Sequence, residues 1–267
     1  MNEIMGSFTL LKNPAILMFI CKGVIFTLII SVLAVTISIG LASVLALVRN
    51  YCVKPGQRIF RWLAVVYIEI FRNTPLLFWI FISVVFFPAP KLFTHQLFGL
   101  SSVETKLLFK TTAALTLFEA ATIAEIIRGG LNSISNGQFE AGRAQGFNTV
   151  QIMLYIILPQ AFRNIVPTLL SQVITTIKDS SFIANVATIE LMARVKKILS
   201  NASLYNGTGT INVSDVFILF GFAALIYFII NYILSCVVRH IQERKQKQLT
   251  EYVPQAVVIE EKNTVVN

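Results

Sequence analysis

Runs of apolar residues divide the chain. Gly23 to Val48 is 26 residues without a charge, and Val216 to Val238 is another 23, closed by Arg239 and His240. A helix crossing about 30 Å of hydrocarbon at about 1.5 Å per residue needs roughly 20 residues. Both runs therefore predict spanning helices, and the basic pair closing the second marks a headgroup boundary. Between them, Trp62 to Pro88, Lys110 to Ile127 and Phe162 to about Val186 are apolar but carry charges. The pattern predicts five spans, at about residues 20-48, 62-88, 106-128, 162-186 and 214-238. The second span contains Asn73-Thr74-Pro75, where proline removes a backbone donor and clashes with the preceding turn, so a kinked or broken helix is predicted. Such a break survives at membrane depth only where protein or a water-filled cavity satisfies the freed backbone groups, which points it inward, away from lipid.

Composition supports a membrane fold. Of 267 residues 55% are apolar and 13% charged, with a mean hydropathy of +0.73, whereas a soluble domain carries about 25% charged residues. The expected fold class is an all-α membrane protein. Lys12 and Lys22 precede the first run, but that run far exceeds the roughly 7 to 15 apolar residues of a cleaved signal, so it reads as a retained helix. Cys21, Cys52 and Cys236 are too widely separated to suggest a disulfide framework or a metal cluster; they read as small apolar filler. The net charge of +9 comes from bases dispersed among apolar segments, which suits membrane topology and not nucleic acid.

Five spans place the termini on opposite sides, and the positive-inside rule orients them. With the N-terminus outside and the C-terminus cytoplasmic, the stretches from Arg49 to Arg61, from Arg128 to Arg163 and after Arg239 hold 12 of the 22 basic residues. The outer loop from about Pro88 to Glu104 has only Lys91 and His95, whereas Arg194, Lys196 and Lys197 go against the assignment and are outvoted. Ser200 to Asp215 is polar and turn-rich, an external loop. Residues 1-242 read as one transmembrane domain, and 243-267, charged and weakly patterned, as a flexible cytoplasmic tail.

The segment from Ser133 to Phe162, SISNGQFEAGRAQGFNTVQIMLYIILPQAF, is apolar in parts yet does not read as a span. Gln145, Asn148, Gln151 and Gln160 are scattered through it, and Gly146 and Pro159 punctuate it. Ser135 with Gln138 forms a capping-box pattern, and Asn148 with Gln151 a weaker one. Two short helices meeting near Gly146 are predicted within a cytoplasmic loop at about 129-161. The first sets Ala141 and Ala144 on one face, where small side chains permit close approach to a partner, and Glu140 three residues before Arg143. An amphipathic loop lying on the membrane is the alternative reading of the same residues.

Glu140 and Ala141, then Gly146 six residues after the glutamate, then Ile156 ten residues further on, followed by Leu158 and Pro159, resemble the signature of the inner-membrane permeases of bacterial ABC importers. Gly142 stands where the family usually has a second alanine. The resemblance extends over about Glu69 to Arg194 and narrows to the polar amino acid branch through EIFRNTPLL (Glu69 to Leu77), AEIIRGGLNSISNGQFEAG (Ala124 to Gly142), ILPQAFRNIVPTL (Ile157 to Leu169) and KDSSF (Lys178 to Phe182). Thr122 departs from the tyrosine many members carry there.

What the resemblance implies is a type I ABC importer permease fold in the bacterial inner or plasma membrane. Gln138, Phe139, Glu140, Ala141, Gly142, Arg143, Ala144 and Gly146 would form the coupling helix seated on a cytoplasmic ABC ATPase dimer, and ATP-driven closure would switch two packed arrangements. The expected partners are that dimer, a second permease subunit, identical or homologous, that completes the path, and a separate extracytoplasmic amino acid-binding protein. The chain lacks G-x-x-x-x-G-K-[ST], so no cofactor is expected on it; ATP and Mg belong to the ATPase.

Ionisable groups at membrane depth are expensive and are candidates for function. Glu69 with Arg72, Glu125 with Arg128, and Glu190 with Arg194 have spacings at which each pair can neutralise itself. Arg72, beside the break with Asn73 and Thr74, suits a substrate carboxylate. Glu119 has no local partner and suits an ammonium group. Thr122, Lys178, Asp179 and Ser180 complete the candidate substrate path, although the last three also read as a capped, solvated turn. A secondary transporter or channel shares the hydropathy but needs no Ala/Gly-rich cytoplasmic helix at fixed offsets. An intramembrane enzyme lacks H-E-x-x-H and G-x-S-x-G and has only His95 and His240 to work with.

Overall fold

The computed structural model describes residues 7–8, 10–97, 99–186, 189–206 and 209–264, with side chains as far as Arg244. Helix α1, Pro14–Tyr51, starts where Asn13 Oδ1 accepts from Ala15 N at 2.9 Å and proline occupies the first helical position, an arrangement that satisfies one orphan donor and removes another. Its 38 residues reach about 57 Å, more than a bilayer core requires, so the expected span at 20-48 is extended at both ends.

The break in the second span is real and sharp. Helix α2, Arg58–Arg72, and helix α3, Leu76–Phe86, meet at 109°. The cause is local. Pro75 adopts φ −66° and ψ 138°, and the last carbonyls of α2 turn to side chains: Asn73 Nδ2 donates to Glu69 O at 2.8 Å and Thr74 Oγ1 to Ile70 O at 2.7 Å. The orphan acceptors at the helix end are thereby satisfied within the chain.

Helix α4, Ser102–Asn132, opens on a complete capping box between Ser101 and Glu104 and packs against α1, α2 and α3. Ala114, Ala120, Ala121 and Ala124 are buried on it, as are Ala34, Ala42 and Ala46 on α1, and small residues let helix backbones approach. Cross-links reinforce the contact: Ser38 Oγ donates to Thr116 O at 2.7 Å, Tyr67 Oη to Leu117 O at 2.6 Å and Lys110 Nζ to Val84 O at 2.7 Å. One apolar cluster, including Ala42, Ile68, Ile123, Ile157 and Ile165, joins α1, α2 and α4 to the following segments; a second, including Ile30, Ala34, Leu76, Ile80 and Leu115, fills the half of the bundle beyond the break.

Helix α5, Asn136–Ala144, is followed by a helical turn at Thr149–Gln151, a π-helical stretch at Ile152–Ile157 and helix α6, Leu158–Asp179. The sequence reading of two short helices is thus half right. The second is not separate: Thr149–Asn185 is one helical run of 37 residues, so the helix that contains the fourth apolar stretch starts well before residue 162. A 3-10 turn, Ser180–Asn185, leads to helix α7, Leu191–Ser200, which Glu190 caps through Met192 N at 2.9 Å and Ala193 N at 2.6 Å. Gly23 of α1 admits α7 so closely that an added Cβ would stand 2.9 Å from Leu191 Cα.

Helix α8, Val213–Thr264, contains the last span. Where a flexible tail was expected from 243, helical backbone continues through Thr264; glutamine, lysine and glutamate favour helix, and an established helix extends at little cost. The remaining expected tail residues, 265–267, lie outside the described residues. Among the described residues, four helices are long and apolar enough to cross a membrane, or five if the bent pair counts as one span. Their outer faces carry exposed Ile25, Ile29, Val32, Phe217, Phe228 and Ile233, the surface that hydrocarbon covers.

Candidate functional site

Three constellations hold the sequence-predicted residues. The first is α5. Its C-terminus closes in a Schellman motif: Phe147 N donates to Gly142 O at 3.0 Å and Gly146 N to Arg143 O at 2.9 Å, with Gly146 at φ +81°. Only glycine takes that conformation without a Cβ penalty. At the other end Ser135 makes no side-chain cap, contrary to expectation, because Ser133 and Ser135 lie in the tight turn from α4 and the Gln138 amide bonds the Ser135 carbonyl instead, at 3.1 Å. The pattern expected to be weaker is the one that forms: Asn148 Oδ1 accepts from Gln151 N, and Gln151 Oε1 from Asn148 N, both at 2.9 Å.

Gln138, Glu140, Ala141, Arg143, Ala144 and Gly146 are exposed, Phe139 is half-buried and Gly142 is buried. The departure at Gly142 has a packing reason. A Cβ there would stand 2.8 Å from Ile152 Cγ1 and 3.1 Å from Ile156 Cδ1, so glycine lets α5 lie against the π-helical stretch. That stretch widens the helix, Leu158 N reaching back five residues to Met153 O, and makes room for Pro159, whose ring crowds a normal turn. Gln160 Nε2 completes the seat with a 3.3 Å contact to Gln138 Oε1. Glu140 and Arg143 do not pair with each other among the described residues; with Asn50, Tyr51 and Asn132 they line a cavity of about 600 Å³ between α5 and the ends of α1 and α4.

The second constellation lies at the break. Arg72 and Asn73 are exposed and Thr74 is half-buried, its hydroxyl accepting from Trp79 Nε1 at 2.7 Å. The charges pair differently from the local expectation. Glu125 meets Arg128 at 2.9 Å as spacing suggests, but also Arg49 at 2.5 Å and Arg72 at 3.9 Å, while Glu69 pairs with Arg49 at 3.4 Å. Sequence reasoning missed Arg49, because it is brought in by helix packing from 76 residues away and no local spacing signals it. Among the described residues the side chains of Glu190 and Arg194 form no ion pair: the first caps α7 and accepts from Tyr227 Oη at 3.0 Å, and the second donates to Ile189 O at 2.8 Å and sits over the Phe19 ring.

The third joins α4 and α6. Glu119 is fully buried and accepts from Gln172 Nε2 at 2.8 Å, leaving Oε1 without a partner. Thr122 is half-buried one turn along α4, and Lys178 is exposed and Asp179 half-buried near the end of α6. Ser180 is buried and donates to Ile177 O at 2.8 Å, the geometry of a helix end.

Residues 39–247 match the family model described as binding-protein-dependent transport system inner membrane component. The chain is 37% identical over 227 residues to the probable glutamine ABC transporter permease protein GlnM of Bacillus subtilis, covering 84% of this chain and 92% of the relative. It is 35% identical over 233 residues to the glutamate/aspartate import permease protein GltK of Escherichia coli, covering 85% and 93%. The crystal structure of an amino acid ABC transporter with histidines aligns with a TM-score of 0.65 at 27% identity, over 85% of this chain and 94% of that one. Fold, loop signature and relatives agree, and the chain belongs to the family of inner membrane components of binding-protein-dependent transport systems.

Proposed function

We propose that the chain is the translocation subunit of an ATP-driven importer that moves polar amino acids into a bacterial cell by alternating access. The observation that carries this reading is α5: a nine-residue helix held rigidly by its Schellman closure and its seat on the π-helical stretch, yet with Gln138, Glu140, Ala141, Arg143 and Ala144 exposed and small residues among them. A helix so fixed and so bare suits a groove on a partner. The partner is a cytoplasmic ATPase dimer that holds ATP and Mg, and α5 passes its movement into α4 and α6, between which it is strung. This orients the chain with α5 in the cytoplasm and the N-terminus outside. A second permease subunit closes the path, and an extracytoplasmic binding protein delivers the cargo.

The relatives' names support the substrate class, since they carry glutamine and glutamate or aspartate. An amino acid presents a carboxylate and an ammonium group, and the bundle offers one group suited to each. The exposed Arg72, with Asn73 and Thr74 at the break, serves the carboxylate. The buried Glu119, with its open oxygen, serves the ammonium, and Thr122, Lys178, Asp179 and Ser180 lie along the same path.

The test is Glu140→Trp. It is expected to leave membrane insertion intact while abolishing co-purification with the ATPase or ATP-dependent uptake, and unimpaired uptake overturns the reading. ATPase stimulation of the reconstituted complex with its binding protein, measured across individual amino acids, identifies the cargo.

A further inference from the structure

Arg49 touches both carboxylates within reach of Arg72. Its Nη1 donates to Glu125 Oε1 at 2.5 Å and its Nη2 lies 3.4 Å from Glu69 Oε1. Arg128, one turn along α4, takes the other oxygen of Glu125 at 2.9 Å. With both oxygens engaged, Arg72 stands 3.9 Å from Glu125, outside hydrogen-bond range, and 44% of its side chain is exposed at the broken span. The five groups are three cations and two anions. One positive charge is in excess, and Arg72 is the least neutralised of the three.

Remove Arg49, and Glu69 loses its cation and keeps only Asn73 on its other oxygen, while Glu125 keeps Arg128 but has Oε1 freed, so both acids are open to Arg72. Glu69 sits one turn before it on α2, a spacing that brings side chains together, and Glu125 needs to close by only about an ångström to make a charge-assisted hydrogen bond. The forked guanidinium of Arg49 spans two carboxylates on two helices, which a point-charge ammonium does less well.

We propose that Arg49 is a positioning residue that saturates Glu69 and Glu125 and so keeps Arg72 open to an anionic group of the transported molecule. This rests on the reading above that Arg72 meets a substrate carboxylate. Arg49 itself touches no substrate; it sets the electrostatic state of the break.

The test uses the complete transporter, with its ATPase and binding protein, in proteoliposomes. Arg49→Gln is expected to assemble normally and to lower maximal uptake roughly tenfold, the scale of one lost charge-assisted contact. Arg49→Lys retains an intermediate rate. The deciding variant combines Arg49→Gln with Glu69→Gln and Glu125→Gln: with neither acid left to capture Arg72, uptake recovers toward the wild-type rate. A merely structural ion pair gives the opposite order, with the triple variant slowest. Unimpaired Arg49→Gln, failed assembly of Arg49→Gln, or a triple variant no faster than the single one, whether through assembly or turnover, each overturns the proposal. Arg72→Gln separates the two readings: unimpaired uptake there overturns the carboxylate role of Arg72 itself, while impaired Arg72→Gln beside unimpaired Arg49→Gln overturns only the role of Arg49.

Discussion

Glu119 on α4 and Gln172 on α6 are joined by one hydrogen bond of 2.8 Å, and Oε1 of Glu119 is buried without a hydrogen-bond partner among the described residues. A buried carboxylate so weakly supported destabilises the fold it sits in. Glu119→Gln keeps the shape and removes the charge. It is expected to hold or raise the melting temperature of the detergent-solubilised complex while lowering uptake by about tenfold or more, the signature of a group kept for function. Differential scanning fluorimetry beside an uptake assay checks both halves; a variant that is less stable and fully active assigns Glu119 to structure.

Gly142 of α5 and Gly146 just past its end separate packing from backbone conformation. Gly142→Val drives a branched side chain into Ile152 and is expected to cost about 1 to 3 kcal/mol through overpacking, releasing α5 from its seat. Gly146→Ala has open space around it but a positive φ, and its cost is about 1 kcal/mol from the left-handed conformation alone. Limited proteolysis between Asn136 and Phe147 reads the difference, with Gly142→Val cut faster.

Asn148→Ala removes a working cap and is expected to cost about 1 kcal/mol, seen as faster amide hydrogen exchange at Gln151. Ser135→Ala removes a side chain that caps nothing and is expected to leave exchange in α5 unchanged.

Thr74→Val deprives Trp79 Nε1 of its acceptor and Ile70 O of its donor. Leaving a half-buried indole donor unsatisfied costs about 1 kcal/mol, at the low end for an unmade hydrogen bond. In a Trp62→Phe background the emission of Trp79 reports the change directly, and wild-type emission in the variant argues that water replaces the hydroxyl.

The legible parts of this molecule are the local ones. The break at Asn73-Thr74-Pro75 follows from one ring and two short polar side chains, all adjacent in sequence, and the spans follow from runs of apolar residues. The α5 loop was legible through fixed offsets between Glu140, Gly146 and Pro159. The charge pairing was not. Spacing places Glu69 with Arg72 and Glu190 with Arg194, yet packing delivers Arg49 to Glu69 and turns Glu190 and Arg194 to backbone groups, because charge-assisted hydrogen bonds, whether to a carboxylate on another helix or to backbone groups, outweigh a few tenths of a kcal/mol of helix-surface pairing. The choice between two similar capping patterns likewise depended on the turn leaving α4. The continuity of the fourth helical run escaped because Pro159 reads as a stop, whereas a π turn absorbs it.

The wide turn has a kinematic meaning. Between the seat of α5 and Leu158 the helix holds one residue more than an ordinary winding of the same height, with Leu158 N bonded to Met153 O. Tightening that turn by one residue changes the height of the junction by about 1.5 Å and its azimuth by about 100°. A displacement applied at α5 can therefore be converted into rotation of α6 about its own axis within six residues, Ile152–Ile157, without bending either rod.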